Sequence, residues 1–248
     1  MGMDVYVGPL SRYLARNWMT VVQQVGAATG RRVQVLNVGD SPASQDDAQP
    51  FLDDGAADVM VSTWQAELLA ALGSDTPWDD HHDLPYWTDK PDWDAYGGLV
   101  LLAAYLERPE LVPTSRGGLF RRAHADDPRE FQRAEAYQAA SAAPARFPSL
   151  LGGTEWWLPV ETRGRVFRAP RPDGPVTTMA PVSRLLLELK EVAEAIGLTD
   201  REERVAIRAA GPPDRDADVE TCARFGLSTL LPLAGKAYVE RQPLLLDF

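Results

Sequence analysis

Apolar positions along the chain follow two rhythms. Leu14, Trp18, Val21, Val22 and Val25 recur at helical spacing, which predicts one helix over 11–30 with Gly30 as its stop. Val5 and Val7 before it, and Val33, Val35 and Val38 after it, alternate as strands do, so residues 5–38 predict a parallel strand–helix–strand unit. The helical rhythm resumes over 56–72 through Met60 or Val61, Trp64, Leu68 and Leu72, and Gly73 closes it. A strand at 59–61 followed by a shorter helix, boxed by Ser62 and Gln65, is the competing reading; we prefer the single helix. Trp93, Tyr96, Val100, Ala103 and Ala104 predict another helix, which must end near Arg108 and Pro109. Pro128 then opens a weakly apolar, exposed helix through Phe131, Ala134 and Tyr137.

From residue 155 the rhythm shortens. EWWLPVE, RVFRAP and PVTTM are strand-like runs separated by the turn formers TRG and RPDG, and they predict an antiparallel meander with Pro159, Pro170 and Pro175 at edges or strand ends. Trp156 and Trp157 would point to opposite faces, one into the core and the other to an edge or interface. Helices follow over 181–196, closed by Gly197, and over 199–209, capped by Thr199. A helical pattern over 218–241 is kinked or broken by Pro232, and PLLLDF ends as a buried strand. The fold expected is α+β: a predominantly helical single domain over 1–248, with a small mixed sheet and an antiparallel β-meander in the second half. A weak subdivision is expected, if anywhere, near 140–153.

Composition adds a bias of charge. The net charge is -11, and between Gly39 and Asp94 fourteen acids face a single base, Lys90, while the remaining residues carry 24 bases and 22 acids. Such a block repels phosphate backbones and attracts basic protein surfaces or hard cations, so a nucleic-acid partner is not expected. The longest nearly apolar run, 97–106, is about half of the ~20 residues a membrane helix needs, and Asp4 stands where a signal peptide would be basic and then apolar. We therefore expect a soluble, cytoplasmic protein. The single cysteine, Cys222, excludes an internal disulfide and a multi-cysteine zinc site, and its helical spacing with Val219 and Phe225 predicts a buried core residue.

Candidate chemistry concentrates in WDDHHDLPYWTDKPDWDAY, residues 78–96, with six aspartates, two of the three histidines and three of the seven tryptophans. His81 and His82 could hold a divalent metal with His124 as a distant third ligand, although adjacent imidazoles ordinarily diverge. A calcium loop would need a turn glycine and a closing glutamate, and both are missing. Acid–base catalysis would draw on His81, His82, Asp92 and Asp94. Against it, Pro91 suits a first helical position, and Asp89, Asp92 and Asp94 suit a helix start, where carboxylates satisfy free N–H groups. Hydrolase, P-loop and dinucleotide signatures are absent. Gly97 and Gly98 more readily serve close packing within a helix than phosphate binding. The basic cluster Arg116, Arg121, Arg122, His124, Arg129 and Arg133 is offset by Asp126, Asp127, Glu130 and Glu135.

Two stretches carry a resemblance. DWDAYGGLVLLAAYLERPEL, residues 92–111, and ERQPLLLDF, residues 240–248, resemble segments of uncharacterised acidic actinobacterial proteins, and the second is similar to the endings of small bacterial immunity-type proteins. That resemblance implies an immunity- or antitoxin-like role and transfers no functional residue. With the charge block, it favours a binding protein without cofactor that captures a basic partner protein: Asp79, Asp80 and Asp83 would steer the encounter and Trp78 and Trp87 would anchor it. The alternative is a small-molecule enzyme, metal-dependent or acid–base, with a pocket of His81, His82, Asp92 or Asp94 and neighbouring aromatics.

Overall fold

In the computed structural model, which describes residues 3–30, 52–113 and 126–247, the protein is α+β, with helices on both faces of a mixed six-stranded sheet. Strand β1 (Asp4–Val7) is buried throughout and lies between β2 (Trp87–Asp89) and β6 (Leu244–Asp247), antiparallel to both. Both of its edges are therefore taken, which rules out the expected parallel neighbour for β1; the strand expected at 31–38 lies outside the described residues. The remaining strands are β3 (Trp156–Leu158), β4 (Phe167–Pro170) and β5 (Val176–Pro181), and the order across the sheet is β2-β1-β6-β3-β5-β4.

The expected meander is half right. β4 and β5 form an antiparallel hairpin, whereas β3 runs parallel to β5 and antiparallel to β6. The reason is burial: Trp156 and Trp157 are both fully enclosed, and β3 reaches that environment only in the middle of the sheet. Neither tryptophan is at an edge, because the sheet is covered on both sides. β6 ties the first-half strand β1 to the second-half strand β3, so the sheet runs across the expected subdivision at 140–153.

On one face lie α4 (Trp93–Glu107), α7 (Val182–Ala195) and α9 (Val219–Glu240), packed on Val5, Val7, Trp157 and Leu244. The α4–α9 crossing depends on small residues. A Cβ on Gly98 would come within 2.5 Å of Cys222 Cβ, and one on Gly226 within 2.6 Å of the Ala95 carbonyl. Gly97, on the next side of α4, has the Pro128 carbonyl against it. Cys222 is buried as expected, and burial pushes its thiol up to about 11. Helix α9 passes through Pro232 without a break, and α8 (Arg201–Ala210) lies outside it, capped by Asp200 and not by Thr199. The stretch 128–142 is not the exposed helix expected. It forms a 3-10 turn, Pro128–Arg133, and α5 (Glu135–Ala142), with Phe131, Ala134, Ala136 and Ala140 buried against α4. Glu188 of α7 is also buried and accepts hydrogen bonds from Ser149 N (3.0 Å), Leu150 N (2.9 Å) and Arg184 Nε (2.7 Å), capping the short α6 (Pro148–Leu151) from a distance.

The other face carries α3 (Asp54–Leu72) and the short α1 (Leu10–Leu14), packed on Tyr6, Trp156, Met179 and Leu245. Helix α3 is the single helix expected, started by Asp53, whose side chain accepts from Ala56 N, and stopped by Gly73 at φ 67°. The helix expected over 11–30 is instead broken. Arg16 turns the chain at φ 53°, Trp18 folds back to within 5.0 Å of Tyr6, and α2 (Val21–Ala28) starts afresh from a Thr20–Gln23 capping box. Among the described residues no helix is long and apolar enough to cross a membrane.

Candidate metal centre

The loop 73–86 has little regular structure, and directional polar contacts hold it. Trp78 is 3% exposed, packs edge-on to Trp64 at 6.1 Å, and its carbonyl accepts from Gln65 Nε2 (3.0 Å). The carboxylate of Asp80 accepts from Leu10 N (2.8 Å) and Ser11 N (2.9 Å), closing the start of α1, and from Trp78 Nε1 (3.3 Å). Burial pushes the Asp80 carboxyl above its ordinary value against the pull of those N–H groups. The carbonyl of Asp79 accepts from Gln242 Nε2 (3.0 Å). The loop is thus fastened to α1, to α3 and to the α9–β6 junction.

These fastenings bring His81 and His82 over Asp58, on the second turn of α3. His82 N donates to Asp58 Oδ1 (3.2 Å), and His82 Nδ1 lies 2.7 Å from Asp58 Oδ2. His81 Nε2 lies 3.6 Å from that same oxygen. A turn closed by Leu84 N on the His81 carbonyl (3.0 Å) keeps the adjacent rings from diverging; they stack at 4.4 Å with 28° between their planes. Across the stack from Asp58 stands Asp83, with carboxylate oxygens 3.6 Å from His81 Nδ1 and 3.5 Å from His82 Nε2. The backbone N–H of Asp83 donates to His81 Nδ1 (3.3 Å). The hydrogen bond to Asp58 raises the His82 imidazole above its ordinary 6.5, with Asp83 and Asp54 adding negative potential. Burial works to raise the Asp58 carboxyl, but the hydrogen bonds from His82 prevail and hold it below its usual range.

One nitrogen from each of His81 and His82 and an Asp58 oxygen therefore form a compact donor set, all within 4.8 Å of one another. No other group of three or more such side chains gathers in this way among the described residues. Two imidazole nitrogens and one carboxylate oxygen suit a borderline dication, with bonds of about 2.0–2.2 Å and further positions left open. The His81 side chain is 52% exposed, so the cluster faces solvent. None of the protein-family models, curated proteins or solved structures compared with the chain matches it.

The other expected site residues are dispersed. Asp92 caps α4 by accepting from Ala95 N (2.9 Å), and Asp94 lies in its first turn, 3.9 Å from Arg129 Nε. Pro91 stands ahead of that cap and not at the first helical position. Asp89 has a different task from the other two: it sits on β2 and pairs with Arg208 Nε at 2.6 Å. Because α4 and α3 pack on opposite faces of the sheet, the acid–base set of His81, His82, Asp92 and Asp94 is divided. The docking set is divided as well. Trp78 is enclosed on the α3 face, Trp87 packs on the α4 face beneath Lys236 Nζ at 4.3 Å, and Asp80 is occupied by α1. Only Asp79 and Asp83 are turned to solvent. Of the basic cluster, Arg129 pairs with Asp127 and Arg133 with Glu130; Arg116, Arg121, Arg122 and His124 lie outside the described residues. Asp58 was legible only as one of fourteen acids, since it stands 24 residues from His82 and no local spacing links them.

Proposed function

We propose that the protein binds a divalent transition metal, zinc in the first instance, through His81, His82 and Asp58, and that it acts as a metal-dependent protein on a small oxygen-donor ligand. The observation that supports this is the convergence of one nitrogen from each ring on a single Asp58 carboxylate. Bound there, the ion would supply Lewis acidity at its open positions. Asp58 supplies the anionic donor, fixed by the His82 backbone; the fastenings of Trp78 and Asp80 restrain the loop that presents the rings. Elemental analysis after equilibration with zinc and desalting tests the reading. About one zinc per chain is expected, lost in a His81→Ala, His82→Ala double variant. Equal zinc in the two proteins would overturn it.

A second reading keeps a basic protein as partner and rests on the exposure of Asp79 and Asp83 within the acidic block. It predicts that Asp79→Lys slows association with a basic partner at low salt more than at high salt. An unchanged on-rate would remove this surface.

A further inference from the structure

We infer that Asp83 is the positioning carboxylate of this centre, directing His81 to bind the ion through Nε2 and His82 through Nδ1. The inference rests on the metal-binding reading above and assigns a role within it. Each neutral imidazole carries one proton, and the nitrogen that meets a metal must be the unprotonated one, so the proton must sit on the far nitrogen. In the stacked pair the inner nitrogens, His81 Nε2 and His82 Nδ1, face Asp58, whereas the outer nitrogens, His81 Nδ1 and His82 Nε2, face the two oxygens of Asp83. One carboxylate is thus placed to receive both outer N–H groups. Metal-bound histidines characteristically need such an acceptor to fix ring orientation.

The metal-free hydrogen bonds set the opposite tautomers. The Asp83 backbone N–H donates to His81 Nδ1, which leaves that ring's proton on Nε2, and the 2.7 Å contact of His82 Nδ1 with Asp58 places a proton between them. Loading the inner edge therefore relocates one proton on each neutral ring from the inner to the outer nitrogen, with none gained or lost. The hydrogen bonds from Asp83 N to His81 Nδ1 and from His82 Nδ1 to Asp58 are broken, and bonds from the outer N–H groups to the Asp83 carboxylate and from the inner nitrogens to the ion replace them. The Asp83 side chain, 80% exposed, has the freedom to close the remaining 3.5–3.6 Å. The opposite edge is less prepared: its His81 nitrogen is engaged by the backbone, and its carboxylate lacks the backbone anchor that Asp58 has in His82 N.

Zinc titrated into protein labelled with 15N-histidine gives the test, read by two-bond proton–nitrogen correlation of the imidazoles and by calorimetric affinity. Metal-bound shifts are expected at His81 Nε2 and His82 Nδ1, with protons on the outer nitrogens. Asp83→Asn should lower zinc affinity by about 10–100-fold and mix the tautomers, and Asp83→Glu should recover most of both. Zinc held at the inner nitrogens with unchanged affinity and tautomers in Asp83→Asn would overturn the role of Asp83 alone. Zinc on the outer nitrogens would reverse the assignment and make Asp83 a ligand. No imidazole shift in the wild-type protein would remove the metal site and this inference with it.

Discussion

The two faces of the sheet are built in different ways. The α4–α7–α9 face is mainly leucine, valine and alanine, with Tyr96, Tyr105, Phe131, Phe147 and Trp157 set among them, and its helices approach closely because Gly98 and Gly226 carry no side chain. The α1–α3 face is proportionally richer in aromatics: Tyr6, Trp64, Trp78 and Trp156 are enclosed there among leucines and valines, with Tyr13, Trp18 and Tyr86 packed against them. Directional bonds thread that layer, among them Trp64 Nε1 to the Pro170 carbonyl (2.7 Å), Gln65 to Trp78 and Asp80 to α1. Aliphatic packing rewards shape and regular helices, whereas aromatic rings with polar edges can hold an irregular loop in one place. The histidine cluster belongs to the second kind of construction.

Removing one tryptophan from each face would test this contrast most severely. Trp157→Ala and Trp78→Ala should each lower the unfolding free energy by about 3–5 kcal/mol in urea denaturation, but only Trp78→Ala should also abolish zinc binding in the protein that remains folded. Equal zinc affinities in the two would break the comparison. A smaller loss, about 1–3 kcal/mol, is expected for Gly98→Ala, because its new Cβ must push α9 away at Cys222. Zinc binding should survive that change. Asp80→Ala leaves the Leu10 and Ser11 N–H groups without their acceptor and should cost about 1–2 kcal/mol, with faster hydrogen exchange at those two amides. Unaltered exchange there would mean that the loop is not fastened by Asp80.

The smallest expected effect is one of pH. The folded His82 pKa lies above its ordinary 6.5, so its pairing with Asp58 stabilises the fold below about that pH and fades as pH rises through the folded value. The folded Asp58 pKa lies below 3.8, so its share is present above that value and is lost as pH falls through the folded one. The gap in urea midpoint between wild type and His82→Gln should therefore be wider at about pH 5.5 than at about pH 8.5. An equal gap at both would show that the pair contributes nothing through charge.

What the sequence made legible cuts across that division. Helices α3, α4, α7 and α9 and strand β6 could be read from apolar spacing and from punctuation such as Gly73 and Gly197, because in these elements, on either face, burial and periodicity coincide. The break at Arg16 was missed, because the apolar residues around it continue a helical count while the capping box at Thr20 marks a new start. The parallel β3–β5 pair was missed because strand partners are chosen by the whole sheet and not by adjacent turns. His81 and His82 stood out by composition. Asp58 did not, since only the folding of the loop onto α3 brings it within reach.

The fastening of Asp79 to Gln242 spans 163 residues, and Tyr13 meets Asp247 across 234. Contacts so distant along the chain close very long loops. The loop that carries the histidines is thereby held by residues from opposite ends of the described chain, so it is seated only where those ends have met. On the proposed reading, metal capture in the proper geometry would report that the fold is complete.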